Sequence, residues 1–235
     1  MVSATQARNA LALVTAAAAE EATGFVASLG GSAVAQKAAM REVLPAVIAY
    51  YSDGSAALAA DFYESARVAQ GVAGTFSAAP MVLDRTVRID RGVAWAADPL
   101  FSDGDASARV REVVRSEVAR PFRDTIMSNA RADERCIGWR RVTRPGACGF
   151  CLMLADRGAV YRESTAAFPA HSNCDCAAEP VFGRVEVRDG RQEWVSWAGD
   201  DIREASALQY SASKRNRSED EKAALRTWVA YYEGR

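Results

Sequence analysis

Four of the five cysteines and the only histidine fall between Cys148 and Cys176, in "CGFCLMLADRGAVYRESTAAFPAHSNCDC". Cys148 and Cys151 form a C-x2-C pair with Gly149 between them, a spacing that lets two thiolates converge while the backbone turns tightly. His171 and Cys174 form an H-x2-C pair, and Cys176 completes a C-x-C. Two paired half-sites joined by a loop have the layout of a structural zinc centre, and soft thiolates with one imidazole suit Zn2+. The matching reach of the two half-sites selects Cys148, Cys151, His171 and Cys174 as ligands, with Cys176 the substitute for Cys174. Donors are in surplus and rich in thiolate, so the metal reads as a closed staple for a loop-rich segment, not a catalytic ion with an open position. The H-x-E…P-C-x-x-C pattern of zinc deaminases is absent from the sequence.

Other readings of the same residues stand beside this one. The cysteines could be ordinary buried side chains or two disulfides. They could also be catalytic: any His-dependent hydrolase must use His171, with Cys148, Cys151 or a serine such as Ser172 as nucleophile.

The rest of the chain must position that stretch. It is long enough, at 235 residues, for one large domain or two small ones, with 49% hydrophobic and 25% charged residues, the balance of a soluble globular protein. A formal net charge of -1 gives no whole-molecule field toward nucleic acid or anionic lipid. Lys37, Lys214 and Lys222 are the only lysines among 29 basic residues, a bias that fits high-GC codon usage and carries no function by itself. No signal segment is expected, because the apolar run near the start has no basic flank and meets Glu20 and Glu21; no membrane association is expected either. Cysteines without a secretory signal point to a reducing compartment, where clustered Cys and His read as metal ligands.

The predicted elements are mainly helical. Leu11, Val14, Ala18, Ala22, Phe25 and Leu29 form one stripe, stopped by Gly30-Gly31. Val34, Ala38, Leu44, Val47, Ile48 and Tyr51 form a second, kinked or broken at Pro45 and ended by the turn signal Ser52-Asp53-Gly54. Leu58, Phe62, Ala66 and Ala69 form a third. Residues 75 to 103 contain "MVLDRTVRID", a short strand or an extended arm. Val110, Val114, Val118, Phe122 and Ile126 mark the clearest helix, bent at Pro121. "CIGWRRV" reads as a strand, and "AAEPVFGRVEVRDGRQEWVSW" as a hairpin about Asp189-Gly190. The tail returns to helix, with a Ser218/Glu221 capping box ahead of Leu225, Trp228, Val229 and Tyr232. The fold class is therefore mainly α with a small β-containing zinc knuckle (α+β). Its expected parts are a helical N-terminal region 1–131, a zinc-stapled core 132–198 and a helical C-terminal tail 199–235.

The stretch from about residue 137 to 183, "GWRRVTRPGACGFCLMLADRGAVYRES…HSNCDCAAEPVF", resembles the MuF-like minor head proteins of tailed bacteriophages, particularly the actinobacteriophage type. The matching positions are Cys148 and Cys151, Gly158 to Tyr161, His171, Cys174 and Cys176, and Pro180. The resemblance implies a structural minor capsid protein of the virion, inside the head near the portal, acting in head morphogenesis or DNA delivery. Its implied partners are the portal and the major capsid protein, and it would pass through the host cytoplasm during assembly. Trp139 with Arg140, Arg141 and Arg144 would offer a small basic-aromatic surface for non-specific contact with packaged DNA. The plainer alternative is a strand with its Trp in the core and its arginines solvated. Some relatives join this region to a capsid maturation protease, so the enzymatic alternative is a head protease using Cys148 or Ser172 with His171. No separate catalytic domain is evident, and the expectation is no enzymatic activity.

Overall fold

A computed structural model describes residues 2–102, 104–144, 146–156 and 176–196. Its first helix, α1 (Ala4–Ser28), starts at a capping box in which the Ser3 hydroxyl accepts from the Gln6 N–H and the Gln6 side chain accepts from the Ser3 N–H. Leu11, Ala18 and Ala22 are buried on one side of it. The second helix, α2 (Ala33–Ala69), is capped by Ser32 and runs unbroken through both Pro45 and Ser52-Asp53-Gly54. The second and third sequence stripes are thus one helix. Ser52 and Ser55 face inward, while Asp53 and Gly54 lie on the exposed side. One exposed helical Gly costs about 1 kcal/mol. Met40, Leu44 and Ile48 before it, with Phe62 and Tyr63 after it, are all buried and hold the helix through the would-be turn.

The arm after α2 lies along a later helix, α4 (Ser107–Ala132), by strand-like pairing with its side chains. Ala79 N–H donates to Asn129 Oδ1 (2.9 Å), and Asn129 Nδ2 donates back to the Ala79 carbonyl (2.8 Å). Met81 N–H donates to Thr125 Oγ1 (2.8 Å). The stretch expected as strand or arm is therefore an arm followed by a helix, α3 (Thr86–Ala96), and a 3-10 turn (Asp98–Ser102). Asp84 begins α3 by accepting from the Thr86 N–H and hydroxyl, and Asp105 does the same for α4 through Ser107. Both carboxyls are held below their ordinary range by those hydrogen bonds.

Helix α4 is the centre of the molecule. Val110, Val114, Val118, Phe122 and Ile126 are fully buried, as the period of four predicted. The polar Thr125 and Asn129 and the charged Glu117 and Arg123 are buried as well, because α1, α2, α3 and the sheet pack around α4. By length and composition α1 and α2 would each reach across a bilayer, yet their buried residues share two core clusters with α4.

Three antiparallel strands follow: β1 (Cys136–Val142), β2 (Ala177–Arg188) and β3 (Arg191–Ser196), in the order β1-β2-β3. The first half of β2 pairs with β1, placing Trp139 opposite Pro180, Arg140 opposite Glu179 and Arg141 opposite Ala178. Its second half pairs with β3 around Asp189 (φ 49°) and Gly190 (φ 74°), the positive-φ pair that a two-residue hairpin turn needs. Gln70, at the end of α2, treats β2 as a strand would: its Nε2 donates to the Pro180 carbonyl (3.0 Å) and its Oε1 accepts from the Phe182 N–H (3.1 Å). One core cluster accordingly joins Ala7, Leu11, Phe62, Tyr63 and Phe122 to Trp139, Ala178 and Phe182, across the 131/132 boundary expected from sequence. The described residues thus form a mainly helical fold with a small antiparallel sheet. The C-terminal tail 199–235 lies outside the described residues.

Candidate functional site

The C-x2-C pair begins a short helix, α5 (Gly149–Asp156). Cys148 sits just before it, its carbonyl accepting from the Leu152 N–H (3.0 Å), and Cys151 follows one turn on. Positions three apart on a helix share a face, which is how this spacing brings two thiols to the same side. The two differ in depth: Cys148 is exposed and Cys151 is 2% exposed. Met153 and Leu154 are buried and seat α5 against the body of the protein.

Cys176, 3% exposed, leads into β2 and shares one buried cluster with Cys151, against Ala147 and Phe150. Its backbone is pinned by a guanidinium: Arg123 of α4 donates from Nε (3.2 Å) and Nη2 (3.1 Å) to the Cys176 carbonyl. The fold thus brings together two thiols from opposite ends of the cysteine stretch. Among the described residues no three His, Cys, Asp or Glu side chains converge as a metal group. His171 and Cys174, the remaining expected ligands, and Ser172, the alternative nucleophile, lie outside the described residues. Cys151 and Cys176 contribute two soft sulfurs to one buried cluster, the donor type that zinc takes.

The strand before this pair carries the residues expected at a nucleic-acid surface. In β1 burial alternates, so Trp139 (2% exposed) and Arg141 (3%) point inward. Trp139 belongs to the core shared with Phe122 and Phe182 and presents no stacking face to solvent. Arg140 points outward and is bound to Glu179, its strand partner, by Nε (2.6 Å) and Nη2 (3.1 Å). Arg144, beyond the strand, is exposed. Arg141 Nη1 lies 4.0 Å from Cys151 Sγ, so this arginine belongs with the thiols.

Two buried polar groups were missed in the sequence. The fifth cysteine, Cys136, has its thiol over the Gly138 and Val181 carbonyls, and burial pushes it up to about 11, out of the reactive range. Beside it Asp133 accepts from Tyr63 Oη (3.3 Å), Arg67 Nη1 (3.2 Å) and the Arg135 N–H (3.0 Å). Burial, with the Cys136 thiol next, drives the Tyr63 phenol far above its ordinary range. The sequence signal was available, since Tyr63 and Arg67 stand one turn apart within the apolar stripe of Phe62 and Ala66. The second group surrounds Glu117 on α4, which accepts from Arg88 Nε (2.6 Å) and Arg85 Nη1 (3.4 Å). Both groups tie helices together.

A protein-family model described as VG15 protein matches residues 1–195. No curated protein and no solved structure matches the chain.

Proposed function

The chain belongs to the VG15 protein family, a phage-associated family of viral proteins, and from that premise we propose that it is a structural minor head protein of a tailed phage. The observation that carries the reading is the family match over residues 1–195, which takes in both the helical body and the cysteine stretch. In this reading the protein sits inside the head near the portal, contacts portal or major capsid protein, and acts in head morphogenesis or DNA delivery. It performs no catalysis, and its only cofactor is a structural zinc held by Cys148, Cys151, His171 and Cys174 or Cys176. Two features support the staple. Cys151 and Cys176 already share a buried cluster, and the segment between α5 and β2 connects the α5 end of the chain to a strand built into the core. A metal there would fix the approach of one to the other.

Coexpression with a tailed-phage portal protein, and separately with unprocessed major capsid protein, tests the reading. Copurification with portal assemblies and about one zinc per chain are expected. Cleavage of capsid protein that is lost in His171→Ala, without portal binding, would replace this reading with the head protease that uses Cys148 or Ser172 with His171.

A further inference from the structure

We infer that the outward face of α3 is a docking surface for an acidic amphipathic segment of a partner protein. The inference rests on the head-protein reading above for the identity of that partner, the portal. Val87, Arg91 and Trp95 recur every fourth residue and so share one face of the helix. All three are exposed, Val87 at 65% and Trp95 at 41%. Arg88, beside them, keeps 56% of its side chain exposed although its Nε donates to buried Glu117 (2.6 Å). Val82 and Leu83, just ahead of the helix, add exposed apolar surface. On the inner side Val93 and Ala96 are buried and Gly92 lies close against Val113 of α4, so the outward face is presented on a fixed element.

Charge decides what this face fits. The aspartates along α3 are engaged within the chain: Asp84 accepts from Thr86, Asp90 from Arg41 (2.7 and 2.9 Å) and Asp98 from Lys37 (3.5 Å). Arg91 and Arg109, by contrast, have no carboxylate partner among the described residues. Exposed apolar side chains bounded by such cations are matched by apolar side chains bounded by carboxylates. Trp and Arg are also the residue types that most often anchor protein interfaces. Trp95 is already held in place: the Arg109 guanidinium lies 4.7 Å from its ring centre, and Arg109 Nη1 donates to the Trp95 carbonyl (3.1 Å). That guanidinium occupies a ring face on which a base would stack, and Val87 offers nothing to a phosphate, so the surface favours protein over nucleic acid. A helix of 11 residues is about 16 Å long, which matches one segment of a partner and not a whole domain face.

The test uses full-length protein with a photo-crosslinking amino acid in place of Val87, coexpressed and purified with a tailed-phage portal protein, and mass spectrometry of the crosslinked peptides. Crosslinks to portal peptides that combine Asp or Glu with apolar residues are expected. Arg91→Glu and Val87→Ser should each weaken portal binding about tenfold or more, and added salt should weaken the wild type. Val187→Ser, at a valine of the hairpin exposed to a similar degree, should bind as wild type. Circular dichroism checks folding, and Arg91→Gln takes the place of Arg91→Glu if the latter does not fold. Undiminished portal binding by the folded Arg91 and Val87 variants overturns the inference and leaves the portal reading intact. Loss of a labelled DNA duplex by the Arg91 variant, with portal binding kept, overturns it in favour of nucleic acid. Crosslinks only to a second copy, or to residues 199–235 of the same chain, overturn it as well. A wild-type protein that does not bind portal overturns the portal reading itself, and this inference with it.

Discussion

Replacing Asp133 by Ala removes the carboxylate that joins the end of α4 to α2 and to the start of β1. Asp133 and Arg67 side chains are 4% and 7% exposed, and their contact is 3.2 Å. Breaking a buried ion pair by deleting one partner costs about 3–5 kcal/mol, most of it from the charge left behind. Arg67 would retain a 3.4 Å bond to the Ala73 carbonyl and its positions 5.5 and 5.7 Å from the centres of the Phe76 and Phe182 rings. Those contacts place the expected loss at the lower end, about 3 kcal/mol. With a urea dependence of about 2–3 kcal/mol per molar for a chain of this size, the midpoint should fall by about 1 M or more. Urea unfolding followed by both far-ultraviolet circular dichroism and tryptophan fluorescence measures this, provided the two transitions coincide. The double variant Arg67→Met/Asp133→Ala removes the stranded cation as well and should be more stable than Asp133→Ala alone. A loss below about 1 kcal/mol in the single variant, or a double variant that costs the sum of the two singles, would show that the pair is not the coupled unit described.

In zinc-free protein, iodoacetamide should label exposed Cys148 before buried Cys151 and Cys176, and Cys136 only on unfolding, because the Cys136 thiol is pushed up to about 11 and stays protonated at neutral pH; mass-mapped labelling times check this. Asp84 and Asp105 have folded-state acidities below the unfolded value, so their caps contribute fully above that value and fade as pH falls through the folded one; Asp84→Asn/Asp105→Asn should flatten the acid limb of a pH–stability curve. Gly92→Val should destabilise by about 1–3 kcal/mol, since even a β-carbon at Gly92 would stand 3.0 Å from Val113 Cγ1 where α3 meets α4, and thermal melting reads the effect. Phe122→Ala, which removes a fully buried ring stacked on Phe62, should cost about 3–5 kcal/mol by urea unfolding.

The parts legible in the sequence were those where one local signal had no competitor. The four-residue valine period of α4, the alternation of β1 and the Asp189-Gly190 turn each correspond to an observed element. Ser52-Asp53-Gly54 misled because Ser52, like Ser55 just after the triplet, faces inward, Ser52 accepting from Arg85 Nη2 at 3.4 Å, and only tertiary packing reveals that. The helix α3 was hidden because its start depends on an aspartate two residues ahead of Thr86, and its apolar pattern is thin. Arg123 was not readable as a site residue, and Arg141 was read toward nucleic acid, for a different reason. An arginine among polar neighbours looks solvated until the fold shows what its fork can reach, here a carbonyl for one and a sulfur for the other. The sequence named Cys151 as a ligand and Cys176 as the substitute for Cys174, but gave no measure of the depth at which Cys151 and Cys176 share a cluster.

Helix α4 lies at the centre of the fold but late in the order of synthesis. Residues 1–106 leave the ribosome before the helix they surround has emerged, so Leu11, Ala18, Met40, Ile48 and Phe62 at first lack the α4 part of their clusters. A nascent chain paused near residue 106, or a product truncated there, is therefore a natural client for chaperones and proteases. Arrival of Val110 to Ile126 completes both core clusters and brings Arg123, whose side chain holds the Cys176 carbonyl. Both clusters therefore reach their full membership only after most of the first half has been made.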